Sequence, residues 1–146
     1  MKKKLFLATL FLTISTLALA DSNFAGTYTR ETPPAASNRV SRDPVLKITV
    51  TPQGKNYTVR EFWPNDVPAD YFECDSAGAC ARFSRGRKSE DVKIFIEAGD
   101  LVVTSEAPTG RTLTQRRYHL SADGKTLSIA ELNSFKMTGA DFHRTD

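Results

Sequence analysis

The chain holds little of what metal or redox chemistry needs. It has two cysteines and two histidines, His119 and His143. No C-x-x-C pair is present, and neither histidine has a second ligand at zinc spacing, so no metal site is expected. The familiar catalytic motifs are missing too. There is no G-x-S-x-G elbow, no Ser-x-x-Lys, no P-loop and no dinucleotide-binding glycine pattern. We expect a non-catalytic protein without a cofactor. Because triads are defined by geometry rather than chain order, an enzyme reading would need a pocket joining His119 or His143 to a carboxylate and a serine.

An excess of one charge is also absent. The chain has 20 Lys and Arg against 17 Asp and Glu. Three of the lysines, Lys2, Lys3 and Lys4, fall in an N-terminal leader, and without them the balance is even. An even balance leaves no electrostatic footprint for nucleic acid or an anionic membrane. Beyond the leader, no apolar run approaches the roughly 20 residues of a spanning helix. No stretch of useful length shows helical periodicity either.

The leader itself is clear. Met1-Lys2-Lys3-Lys4 precedes an apolar run from Leu5 to Leu12 that continues through Ile14 and Leu17 and closes on Ala18-Leu19-Ala20. A positive start, a short apolar stretch and a small-x-small ending are the marks of a secretory signal peptide. Thr9, Thr13, Ser15 and Thr16 interrupt the run, which argues against a membrane anchor. No cysteine stands at the cleavage point, so a lipoprotein is not expected. We therefore expect residues 1–20 to be a signal peptide cleaved after Ala20, and 21–146 to be one domain of a periplasmic or secreted bacterial protein. In that setting Cys74 and Cys80 are expected to form a disulfide across a hairpin turned by Asp75-Ser76-Ala77-Gly78-Ala79.

The mature chain is a series of short alternating segments rich in β-branched and aromatic residues. Val45–Thr51 is the cleanest, with Leu46, Ile48 and Val50 on one face. Pro52–Lys55 turns it into a partner over Asn56–Phe62. Further strands are expected at Phe24–Thr29, on both sides of the cysteine turn, at Asp91–Glu97, Leu101–Thr104, Thr112–Leu120 and Thr126–Glu131, and in the tail around Phe135–Met137 and Asp141–Arg144. Glu31–Asp43, Trp63–Pro68 and Ser84–Glu90 are expected as loops. The prediction is an all-β antiparallel meander of about 8–10 strands that closes into a small barrel, since closure removes exposed edges.

Phe24-Ala25-Gly26-Thr27-Tyr28 resembles the Gly-x-Trp start of the calycins, the group that holds lipocalins and fatty-acid-binding proteins, with Tyr28 where Trp is usual. In that group an Arg of the last strand packs across the aromatic of the first, and Asp141–Arg144 is placed to supply it. The hairpin Arg117–Leu127 also resembles one found in small exported lipocalin-like proteins. The resemblance implies a lipocalin-like barrel with an internal site for a small apolar or amphipathic ligand.

Tyr57, Trp63, Tyr71, Arg117 and Tyr118 are the candidate ligand-binding residues. Trp63 either forms a contact surface at the barrel mouth or folds over the barrel end as a plug. Of Arg116 and Arg117, one must point inward by alternation, either paired with a carboxylate such as Glu61 or lining a polar pocket. Arg82, Arg85, Arg87 and Lys88 are expected as a solvated run balanced by Glu90 and Asp91. The alternative to a ligand carrier is an interaction or inhibitor protein of the envelope, acting through its loops.

Overall fold

The computed structural model describes residues 23–31, 45–133 and 137–146. The leader, nearly all of the loop expected over Glu31–Asp43, and Phe135 of the tail lie outside the described residues.

Ten antiparallel strands form a closed barrel: β1 (Gly26–Thr29), β2 (Lys47–Gln53), β3 (Asn56–Phe62), β4 (Pro68–Cys74), β5 (Cys80–Ser84), β6 (Arg87–Glu97), β7 (Asp100–Glu106), β8 (Thr112–Leu120), β9 (Thr126–Asn133) and β10 (Met137–Arg144). Each strand pairs with the one before it, and β1 closes the ring by pairing with β10 at Tyr28↔Arg144 and Thr29↔His143. Among the described residues no helix is long and apolar enough to cross a membrane.

Alternation places the core. Ile48 and Val50 of β2, Val59 of β3, Leu101 and Val103 of β7 and Leu127 of β9 are buried inside the barrel. β7 departs from the pattern, being buried from Leu101 to Ser105. Val102 lies on its outer face opposite Phe95 and Arg117, whose long side chains flank it.

Ser84–Glu90, expected as a loop, is a correction. Arg85 and Gly86 both have positive φ, 51° and 76°, and make a two-residue turn whose twist suits a hairpin. β6 therefore begins at Arg87, four residues earlier than its apolar pattern suggests.

One end of the barrel is packed shut. Phe24, fully buried, meets Tyr57 edge to face at 5.9 Å. Tyr28 is also fully buried and donates its hydroxyl to the Phe24 carbonyl at 2.9 Å. Arg144 lies 5.1 Å above the Tyr28 ring and donates through Nη2 to the Tyr28 hydroxyl at 2.6 Å and to the Ala25 carbonyl at 2.9 Å. Gly26 permits this crossing. Its φ is 156°, and a Cβ there would stand 3.1 Å from Arg144 Nε. At the same end Cys74 and Cys80, opposite each other in the β4–β5 register, form a disulfide and are both buried.

A charged cage in the mouth of the barrel

The other end is built differently. Moving two residues toward it along successive strands, the inward side chain changes from apolar to charged. Val59 gives way to Glu61 on β3, Phe72 to Asp70 on β4, Cys80 to Arg82 on β5, Val92 to Glu90 on β6, Tyr118 to Arg116 on β8 and Ile129 to Glu131 on β9. Closure of the sheet brings these six residues, spread over more than seventy positions, into one ring.

They pair in two groups. Arg116 is held between Glu61, which it contacts through Nη1, and Glu131, at 3.1 Å from Nη2. Arg82 Nε donates to Asp70 Oδ2 at 3.2 Å and Nη1 to Glu90 Oε1 at 3.0 Å. Phe72 lies between the groups, with the Arg116 and Arg82 guanidinium carbons 5.3 and 5.9 Å from its ring centre. Tyr118, fully buried below the ring, donates its hydroxyl to Glu61 Oε1 at 3.4 Å.

Burial by itself lowers an arginine pKa. For Arg116 the charge of Glu61, then those around Tyr118 and Glu131, outweigh burial and raise the pKa above the ordinary arginine value. For Arg82 burial is likewise overcome by its hydrogen bonds with Asp70 and Glu90. Burial would push the Asp70 carboxyl up, but Arg82 holds it below the usual carboxylate value. Burial, reinforced by the Glu61 charge, pushes the Tyr118 phenol up. At neutral pH the arginines and Asp70 are charged and Tyr118 is neutral. Ion pairs of this depth add little net stability, because desolvation cancels most of the attraction.

A cavity of about 840 Å³ opens here, lined by Glu61, Asp70, Arg82, Arg116 and Glu131, with Trp63, Ser84 and Arg85 toward the rim. A separate, smaller pocket of about 210 Å³ shares Glu61, Arg116 and Glu131 in its wall and is lined also by Ile48, Ile129, Ala140 and Phe142. The larger pocket is mainly charged in its lining, and the smaller one beside it is partly apolar. The size of the larger lies in the range of small-molecule pockets.

The five residues singled out from the sequence are scattered. Trp63, next to the 3-10 turn Pro64–Asp66, lines the mouth. Tyr118 sits beneath the ring. Tyr57 belongs to the closed end. Tyr71 is on the outer wall, stacked on Phe83 at 4.7 Å with Arg60 5.5 Å from its ring. Arg117 is also outside, paired with Glu97 and with Asp100 at 3.0 Å, so the inward arginine is Arg116. The expected basic run divides. Arg82 points inward, while Lys88 pairs with Asp91 at 2.6 Å on the surface. Asp70 and Glu131 were not singled out from the sequence, and Arg82 and Glu90, expected in a solvated run, are a correction because they point into the barrel. Their signal is charge at inward positions of otherwise apolar alternations.

His119 Nδ1 meets Asp100 Oδ1 at 2.7 Å, with Ser128 opposite His119 on β9. This group lies on the open outer face, where the His119 side chain is 66% exposed. No cluster of three or more metal-binding side chains occurs among the described residues. No family model, curated protein or solved structure matches the chain.

Proposed function

We propose that this is an exported, non-catalytic, lipocalin-like binding protein that takes one small amphipathic molecule into the mouth of its barrel. The observation that carries the reading is the charged cage lining a cavity of about 840 Å³, beside a second pocket of about 210 Å³ that adds apolar lining. A barrel kept only for stability has no use for ion pairs that contribute little to it. The Arg144 crossing over Tyr28 supports the calycin resemblance, and the Cys74–Cys80 disulfide supports export to an oxidising compartment.

Ser84 lines the mouth, and Ser84→Trp should fill it. A ligand in 100-fold excess over its Kd stabilises a protein by about 2.7 kcal/mol. In a thermal-shift screen of small amphipathic molecules, the native protein should respond to at least one compound and Ser84→Trp to none. Equal responses from both proteins would place binding elsewhere.

A second reading is docking of an envelope protein on the rim. Val67 is 47% exposed there, beside a groove of about 650 Å³ lined by Arg60, Phe62, Trp63, Pro68 and Tyr71. Val67→Glu distinguishes the two, since it should abolish capture of a protein partner and leave the small-molecule response intact.

A further inference from the structure

The side chains around the mouth also bear on the charge of the ligand. All three nitrogens of the Arg82 guanidinium are engaged by Asp70 and Glu90, and both terminal nitrogens of Arg116 are engaged by Glu61 and Glu131. An incoming anion would meet four carboxylates, and the Arg82 and Arg116 charges beside them are already shared with those carboxylates. A cation meets acceptors instead. Glu61 Oε2 and Glu131 Oε1 make no hydrogen bond among the described residues, and both glutamates line both pockets.

The aromatic side chains point the same way independently. Tyr28, Phe62, Tyr71, Phe72 and Phe142 each carry a lysine or arginine cation at 4.5 to 5.9 Å from the ring centre. Trp63 lines the cavity with Glu61 and Asp70, and among the described residues its ring has neither a cation nor a ring partner. Indole is the strongest of the three aromatic faces for a cation. Two other arginines border the site. Arg30 donates through Nε to the Val45 carbonyl at 2.7 Å and lies over Phe142, and Arg85 is exposed at the rim. Arg85 also lines the cavity and opposes a cation close to it, a repulsion that the four carboxylates of the ring must outweigh.

Resting on the binding reading above, we propose that the ligand is a small organic cation. Its ammonium group lies between the Trp63 face and the Glu61 and Glu131 carboxylates, and its hydrocarbon part extends over Ile129, Ala140 and Phe142.

Two dansyl probes of similar size test this by fluorescence titration: N-dansyl-1,5-diaminopentane, which ends in an ammonium, and 6-(dansylamino)hexanoic acid, which ends in a carboxylate. The ammonium probe should bind at least about tenfold more tightly, and added salt should weaken it. Glu131→Gln and Trp63→Leu should each weaken it by about tenfold. Melting curves establish that the variants fold, and Glu131→Gln, at a half-exposed position, serves alone if Trp63→Leu does not. Equal or tighter binding of the carboxylate probe, blocked by Ser84→Trp, would overturn the cation and keep the binding site. Binding of neither probe would overturn the cation, and the binding reading falls separately if the wider screen is also silent.

Discussion

Arg116 has 16% of its side chain exposed, and its partner Glu61 has 5%. Removing one member of such a pair strands the other, which costs about 3–5 kcal/mol, whereas replacing both by apolar residues is often neutral or better. Arg116→Met should therefore destabilise strongly in urea unfolding. Arg116→Met combined with Glu61→Leu should recover most of that loss, leaving Glu131 to solvent. The double variant should nonetheless fail to bind. A double variant as unstable as the sum of its singles would show that the two positions are not coupled and that the losses do not come from a stranded charge. The sequence named Glu61 as a partner for whichever arginine points inward, and the structure pairs it with Arg116. It did not show that Glu131 shares that arginine, because the pairing arises only when β8 and β9 are in register.

At the scale of elements, most of the meander was legible because the lower half of the barrel is apolar inside. Leu46–Val50, Val92–Ile96 and Thr126–Ile129 alternate plainly, and Gly or Asp-Gly marks their turns. The mouth half was not. There β6 presents Glu90 inward and β5 presents Arg82, so polar residues fill both faces and the pattern resembles a loop. The same feature that hid the start of β6 builds the site. The cysteine hairpin was legible in its spacing and its turn residues, and the disulfide joins opposed positions. Closing so short a loop stabilises by about 2–3 kcal/mol in the chain-entropy model. Cys74→Ser with Cys80→Ser should lower Tm by roughly 5–10 °C. The hairpin should still form, since Asp75 Oδ1 also accepts from the Ala77 and Ala79 amides at 2.9 Å. Two titratable thiols in the native protein purified from an oxidising compartment would refute the bridge.

For the whole molecule, closure couples these buried groups to global stability, so pH should act from both sides. Arg82 holds Asp70, and hydrogen bonds from His119 and Arg117 hold Asp100, below the usual carboxylate value against the opposing effect of burial. A depressed carboxyl contributes stability that is complete above its unfolded pKa of about 4 and is lost as pH falls through its lower folded value. Tyr118 works in the opposite sense. Burial raises its pKa, so its contribution is complete below the unfolded value of about 10 and is lost as pH rises through the folded one. Stability measured by urea unfolding should thus form a plateau from about pH 5 to 9, with an acid limb and an alkaline limb. Asp70→Asn should lower the plateau and flatten the acid limb, because the charge that Arg82 needs is then gone at every pH. Tyr118→Phe keeps the ring in the core and should flatten only the alkaline limb. Difference absorbance at 295 nm gives an independent check, since Tyr118 should ionise only as the barrel unfolds. Ionisation of all four tyrosines near pH 10 with the fold intact would mean that Tyr118 is open to solvent and that the floor beneath the cage is not sealed.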